Sequence, residues 1–106
     1  MSVSRDFAGQ SGTVYRYVRI EPDGPAPLGS GNFIFVRAGG KKPAIIFAGE
    51  GERLAEAIPA AWRQAVELHA ATDIFARKTV SYRIRRDELD DLLAAHAPIM
   101  NRAPEA

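Results

Sequence analysis

The stretch Gly31–Leu54 reads GNFIFVRAGGKKPAIIFAGEGERL and decides the fold. It contains two apolar runs, Asn32–Arg37 and Pro43–Ala48, joined by a short segment rich in glycine and lysine. Because glycine tolerates positive φ, this spacing predicts a β-hairpin. Both runs are almost continuously apolar, which is typical of strands covered on both faces. The sequence GEG at 49–51 then ends the second strand, and a helical pattern begins at 52–54.

Upstream of the hairpin, the sequence predicts a flexible N-terminus, one strand and a loop. Residues 1–12 are polar and contain glycine, so we expect this terminus to fray. Thr13–Ile20 (TVYRYVRI) alternates as a strand does, and Arg16 on its otherwise apolar face predicts an edge or peripheral position. Glu21–Ser30 contains three prolines and therefore reads as a loop.

Downstream of the hairpin, the pattern predicts two helices, a strand and a last helix. Glu52–Ile58 and Pro59–Ala71 read as separate helices, because proline suits a first turn. Thr79–Arg85 (TVSYRIR) alternates and predicts a strand. Asp87 is the expected N-cap of a helix over Glu88–His96.

This order of elements predicts an α/β (α+β) fold. We expect a small mixed or antiparallel β-sheet with a central hairpin flanked by helices. One domain is predicted over residues 13–101, followed by a flexible tail over 102–106.

Composition restricts the classes of function. The chain has 106 residues, 46% of them hydrophobic, a formal net charge of +1 and no cysteine. A single core without disulfides or thiolate chemistry is therefore expected, and basic function requires a local patch. Two histidines are too few for a histidine-rich metal site. Because no apolar run approaches the roughly 20 residues of a membrane span and no apolar signal core is present, we expect a bacterial-type cytoplasmic protein without membrane contact.

Four short segments carry a resemblance to a known family. They are Gly31–Phe33 (GNF), Phe47–Gly49 (FAG), Arg53–Leu54 at a helix start, and Leu92–Asn101 (LLAAHAPIMN). Their order and spacing resemble those of the GIY-YIG nuclease superfamily, over roughly residues 31–101. The resemblance implies a GIY-YIG-like arrangement of a hairpin and helices.

The resemblance also implies that the chemistry of this family is lost. The two signature tyrosines correspond to Phe33 and Phe47, the helix arginine to Ala57 and the metal-binding glutamate to Leu89. Among the polar positions only Asn101 retains its residue type. Phenylalanine, alanine and leucine cannot donate hydrogen bonds, neutralise phosphate or coordinate magnesium. No catalytic residue, metal site or cofactor is therefore expected.

A basic segment offers a second kind of site. Five cations and no anion occur between Arg77 and Arg86, with tyrosines available for stacking. The alternative is a solvated sheet face whose arginines pair with the acidic residues at 87–91. The candidate nucleic-acid contacts are Arg53, Arg77, Lys78, Arg83 and Arg85.

Three hypotheses follow. The leading one is a catalytically inactive GIY-YIG-like domain that acts as a binding or interaction module, with nucleic acid or a protein as partner. The second is a divergent metal-dependent endonuclease or phosphodiesterase that uses Arg53, Glu88 and Asn101 with Mg²⁺. The third is an unrelated small α/β protein-interaction domain. The chain length allows a homodimer but does not predict one.

Overall fold

The computed structural model describes residues 3–40 and 43–102. It contains five strands and two helices, followed by a short 3-10 helix at Ile99–Asn101. The strands are β1 (Ser4–Ala8), β2 (Val14–Ile20), β3 (Gly31–Arg37), β4 (Ala44–Gly51) and β5 (Asp73–Lys78), and the helices are α1 (Leu54–His69) and α2 (Tyr82–His96). All pairings are antiparallel, in the order β1-β2-β5-β3-β4. The predicted α/β class, with an antiparallel sheet and a hairpin flanked by helices, is confirmed.

Strand β3 forms the centre of the molecule. It pairs with β4 on one side and β5 on the other, and its residues 31–36 are all buried. Phe33 and Phe35 belong to the core beneath α1, whereas Ile34 and Val36 belong to the core beneath α2. The prediction from its continuous apolar pattern is therefore confirmed, because β3 is covered on both faces. Lys41 and Lys42 of the hairpin turn lie outside the described residues.

Helix α1 is continuous through Pro59, so the prediction of two separate helices is wrong. A proline at this position removes the hydrogen bond to the carbonyl four residues earlier, which belongs to Ala55. Both Pro59 and Ala55 are exposed, so solvent can satisfy that carbonyl. On the opposite side, Leu54 and Ile58 are buried before the proline and Ala65 is buried after it, so the helix is anchored to the sheet on either side of the interruption.

The strand predicted over Thr79–Arg85 is also wrong, because β5 precedes it and α2 begins within it. Ser81, rather than Asp87, caps α2, and its hydroxyl accepts a hydrogen bond from the Ile84 N–H at 3.3 Å. The alternating apolar residues at 80, 82 and 84 are exposed. The buried positions are 85, 88, 89 and 92, which is helical spacing. Two of these positions, 85 and 88, carry charged residues. A search for apolar residues at helical spacing therefore does not find this stripe.

The N-terminal segment is more ordered than the prediction of a flexible terminus over residues 1–12. Ser4–Ala8 pairs with β2, and Phe7 is buried beneath α2. Strand β2 consequently lies between β1 and β5, so it is not the edge strand, although it is peripheral as the second strand of the sheet. Its Arg16 is accommodated because Tyr17, on the opposite face, is the residue that the core buries. Of the predicted flexible tail over 102–106, only Arg102 lies within the described residues.

The two helices cover opposite faces of the sheet unequally. Helix α2 contacts both edge strands, β1 and β4, so the sheet curls around it. Helix α1 packs mainly on β3 and β4. The β1–β2 end of the α1 side is therefore left without a covering helix. Neither helix in residues 3–40 and 43–102 has the length and apolar character needed to cross a membrane.

Candidate functional site

Three of the positions that correspond to the family signature lie in the core beneath α1. The rings of Phe33 and Phe47 have centroids 5.7 Å apart, and both rings contact Phe35. Trp62 of α1 packs edge-on against Phe35, with the ring centroids 5.0 Å apart. Ala57 of α1 packs against the same cluster. These side chains form an apolar layer that offers no group for acid–base or phosphate chemistry.

The other two signature positions lie elsewhere. Leu89 is buried on the opposite face of the sheet, in the core beneath α2. The Asn101 side chain pairs with the main chain of Ala48, where Nδ2 donates to the carbonyl and Oδ1 accepts from the N–H. The fold therefore does not bring the five positions into one cleft, and the one polar side chain among them is used in a structural contact.

A polar cluster lies between α2 and the sheet, centred on Glu88. This carboxylate is 3% exposed, and it accepts hydrogen bonds from the Tyr17 hydroxyl and from Arg77 Nε, the latter at 3.1 Å. Burial, followed by the nearby Glu88 charge, raises the pKa of Tyr17. The tyrosine therefore stays protonated and donates to the carboxylate. One carboxylate oxygen accepts from Tyr17 of β2 and the other from Arg77 of β5, so Glu88 connects α2 to both strands.

Arg85 forms the second part of this buried cluster. Arg85 is 2% exposed, and its Nε donates to Glu50 Oε1 at 3.2 Å. Its Nη1 donates to the carbonyls of Thr79 and Val80 at 3.3 and 2.7 Å, and its own carbonyl accepts from Asn32 Nδ2 at 3.0 Å. Arg85 is thus a buried brace that links the start of α2 to the end of β4.

A third polar contact connects α2 to the turn between β1 and β2. Asp91 accepts hydrogen bonds from the Ser11 hydroxyl at 2.7 Å, from the Ser11 N–H at 2.8 Å and from the Tyr15 hydroxyl at 2.8 Å. The Ser11 hydroxyl and N–H, together with Tyr15, lower the pKa of Asp91. Burial and the hydrogen bond to Asp91 raise the pKa of Tyr15 to about 12. The carboxylate is therefore used to hold the turn against the helix.

The structure separates the five candidate nucleic-acid contacts into two groups. Arg77 and Arg85 are held by Glu88 and Glu50 on the α2 side of the sheet. The alternative interpretation of the sequence is that the arginines of this segment pair with the acidic residues at 87–91. The pairs Arg77–Glu88 and Arg86–Asp90 support that part of it. The other three candidates, Arg53, Lys78 and Arg83, are exposed.

These three exposed cations surround the end of the sheet at which β3 begins. The N–H of Leu54, next to Arg53, donates to the Gly29 carbonyl at 2.9 Å. The N–H of Thr79, next to Lys78, donates to the Ser30 carbonyl at 3.1 Å. Both segments therefore contact the loop that leads into β3, and α2 starts from the second of them. We call this surface the basic end, consisting of Arg53, Lys78, Tyr82 and Arg83.

Two features shape the basic end. Tyr82 is exposed, and the Arg85 guanidinium carbon lies 5.5 Å from the centroid of its ring. Arg53 forms a solvent-exposed ion pair with Glu56 at 3.4 Å, which is a weak interaction in water. An open groove along the start of α1 adjoins Arg53, and its lining of residues 51–53, 56 and 57 includes the acidic side chains Glu52 and Glu56. The surface thus combines exposed cations with one accessible aromatic ring.

The residues that sequence reasoning missed are the partners of the buried charges. Asn32, Glu50 and Tyr17 come from three different strands and meet the charged residues of α2 only after folding. The spacing of Arg85, Glu88, Leu89 and Leu92 is a signal that could have located this face of α2. Within the described part of the chain, no group of three histidine, aspartate or glutamate side chains is arranged to hold a metal ion.

Comparison of the chain with protein-family models, with curated proteins and with solved structures finds no match.

Proposed function

We propose that this chain is a GIY-YIG-like domain without nuclease chemistry that binds single-stranded nucleic acid at the basic end. The observation that carries the proposal is the position of Arg53, Lys78 and Arg83, which are exposed around one end of the sheet beside exposed Tyr82. Cations that contact phosphates provide most of the affinity of non-specific nucleic-acid binding. An accessible aromatic ring provides a surface on which an unpaired base can stack. A cytoplasmic location is part of the same proposal.

The positions that correspond to the family signature support the absence of catalysis in this proposal. Phe33, Phe47, Ala57 and Leu89 are apolar and pack in the two cores. The amide of Asn101 is occupied by the Ala48 main chain. The positions that correspond to the catalytic residues of the family therefore have structural roles. The exposed cations lie on a different part of the surface, at the basic end.

The rival hypothesis, a metal-dependent endonuclease using Arg53, Glu88 and Asn101, has less support. Glu88 is buried, and each of its oxygens accepts a hydrogen bond. Arg53 is exposed at the start of α1, and Asn101 is bound to β4 at the edge of the sheet. An Mg²⁺ site at Glu88 would require the ion pair with Arg77 to open.

Fluorescence anisotropy with labelled single-stranded, duplex and branched DNA, with and without Mg²⁺ or Mn²⁺, tests the proposal. We expect single-stranded DNA to bind in low salt without cleavage on a denaturing gel. For single strands the slope of log K against log salt is about −0.7 per phosphate contact. Each of Arg53→Ala, Lys78→Ala and Arg83→Ala is therefore expected to reduce the slope by up to about 0.7.

Arg63→Ala is the matched control, because Arg63 is also an exposed arginine in a surface ion pair on α1. Tyr82→Ala is expected to weaken binding by about 1–3 kcal/mol, the usual contribution of one base–aromatic stack. Absence of binding in low salt, or equal losses in Arg63→Ala and the basic-end variants, contradicts the proposal. Metal-dependent cleavage that Glu88→Gln abolishes would favour the endonuclease instead.

A further inference from the structure

Among residues 3–40 and 43–102, no helix covers one face of the β1–β2 end of the sheet. Register places Ser4 opposite Val18, Asp6 opposite Arg16 and Ala8 opposite Val14. Opposed residues of antiparallel strands share a face, so these six side chains form one surface, which we call the open face. Val14 and Val18 are 57% and 40% exposed, respectively. The open face is therefore apolar at two positions where an isolated sheet would be expected to carry polar residues.

The open face continues toward the centre of the sheet. A groove of about 330 Å³ adjoins it between β2, β5 and the loop before β3, and its lining combines the apolar residues Val18, Ile20, Pro27 and Ala76 with the cations Arg16, Arg77 and Lys78. Among the described residues, β1 pairs with β2 alone. Apolar side chains thus continue from the open face toward β5, beside the cations of the groove.

The charges of the open face show what can cover it. Its two charged residues are Asp6 and Arg16, whose side chains are paired at 3.0 Å and largely exposed. One anion and one cation make the six-residue surface neutral, whereas the further cations of the adjoining groove, Arg77 and Lys78, belong to β5. A two-fold axis that runs along the strands, between β1 and β2, would place Asp6 of each copy against Arg16 of the other, and the two valines against Ala8 and Ser4 of the other. The open face is therefore complementary to itself.

We infer that the open face is a homodimer interface, in which two copies of this chain pack β1–β2 against β1–β2. The interface is isologous, so each copy contributes the same valines and the same pair of opposite charges. Sheets pack face to face when their apolar side chains interdigitate, and the groove beside Val18 provides space for side chains of the second copy. Lys78 of the basic end also lines this groove, but none of the contacts proposed between the copies involves it, and the test of the dimer uses no nucleic acid.

Sedimentation velocity, at protein concentrations up to about 1 mM, where weak association is still detected, tests this interface. We expect a species of twice the 11.5 kDa mass of one chain to increase with concentration. Val18→Glu is expected to leave only monomer. Val66→Glu is the matched control, because Val66 is 41% exposed on α1, outside the open face.

Charge exchange identifies the contact between the copies. Asp6→Arg alone and Arg16→Asp alone should each be monomeric, because like charges then face each other across the axis. An equimolar mixture of the two variants should dimerise, as should the double variant. In the mixture, residues 6 and 16 of each chain still carry like charges, so the ion pair within the chain cannot form. Dimerisation of the mixture can therefore come only from opposite charges on different chains. Arg63→Glu, which disrupts an exposed ion pair of the same 3.0 Å length on α1, should dimerise as the unchanged chain does.

The surface pair contributes little to folding, and circular dichroism would confirm that every variant is folded. A chain that remains monomeric at all concentrations would overturn the inference. A dimer that survives Val18→Glu and both single charge reversals would overturn it as well, because its interface would then lie elsewhere. A mixture that stays monomeric would contradict the two-fold pairing of Asp6 with Arg16.

Discussion

The side-chain amide of Asn101 pairs with the main chain of Ala48 as a neighbouring strand would. Asn101 Nδ2 donates to the Ala48 carbonyl at 2.8 Å, and the Ala48 N–H donates to Asn101 Oδ1 at 2.9 Å. Strand β4 is at the edge of the sheet, where unpaired main-chain groups invite association with other strands. The 3-10 helix after α2 thus closes part of this edge with one side chain.

We predict that Asn101→Ala lowers the free energy of unfolding by about 1–3 kcal/mol, because two main-chain groups of Ala48 lose their partners. Urea denaturation followed by circular dichroism measures this difference. Arg102→Ala is the control, because the exposed Arg102 side chain bonds the carbonyl of Ala97, five residues earlier, and does not bond the sheet among the described residues. A stability unchanged by Asn101→Ala would contradict the structural role of this amide.

We predict a larger loss for Glu88→Ala. Removing this carboxylate leaves Arg77 and the buried Tyr17 hydroxyl without their acceptor, and breaking a buried pair typically costs about 3–5 kcal/mol. Because Arg77 is 38% exposed at its side chain, we expect the lower part of that range. The exposed pair Arg86–Asp90 provides the comparison, since Asp90→Ala should change stability by less than about 1 kcal/mol. Equal effects of the two substitutions would exclude a bracing role for Glu88.

We predict that Asp91 makes the fold sensitive to acid. Its pKa is lower in the folded state than in the unfolded chain, because Ser11 and Tyr15 donate to the charged carboxylate. The unfolded state therefore binds protons first as the pH falls. The stabilisation is fully present above the unfolded value of about 3.9 and is lost as the pH falls through the folded pKa.

Thermal denaturation between about pH 6 and pH 3, around the unfolded carboxyl value, would measure this dependence. The melting temperature of Asp91→Asn should decrease less steeply with acid than that of the unchanged chain. Asp87→Asn makes the same change in charge on the same helix and serves as the control. Parallel curves for the Asp91→Asn variant and the unchanged chain would show that this carboxylate does not contribute to the acid transition.

We predict that Gly31→Ala destabilises the sheet by about 1–3 kcal/mol, as overpacked sites do. A Cβ at this position would overlap the Arg77 carbonyl and lie 3.0 Å from both Leu54 Cδ1 and Lys78 Cα. Two of these contacts are main-chain atoms of β5, which cannot move without disturbing the sheet. Gly24→Ala is the control, because its nearest contact is a side-chain atom of Glu21 at 3.3 Å. Equal melting temperatures for both variants would contradict this packing account of the glycine.

The glycines in the two segments that resemble the family signature therefore have a packing explanation. Gly31 lies against β5, and a Cβ at Gly49 would come within 2.6 Å of the Phe33 ring. Phe33 and Gly49 are directly opposed between β3 and β4. The ring lies over a position without a side chain, so the hairpin itself requires small residues there. These residue choices can arise from a packed hairpin whether or not a nuclease ancestor explains them.

Part of the candidate site was accessible from sequence. Arg53, Lys78 and Arg83 were identified as cations, and all three are exposed. Arg85 was grouped with them because a charged residue is normally solvated. Its burial depends on Glu50, which is 35 residues away and reaches it only across the folded sheet. No local pattern reports that partnership.

Local physical chemistry determined the central hairpin and most of α1. The apolar runs of β3 and β4 become buried whichever element covers them. The first turn of α1 follows a break in the chain that contains glycine. Tertiary structure decided the two ends of the chain. Strand β1 has few apolar residues and is stable only beside β2, with Phe7 beneath α2. Helix α2 begins at Tyr82 because burial of Arg85 and Glu88 becomes favourable only where Glu50, Arg77 and Tyr17 supply opposite charges and hydrogen bonds.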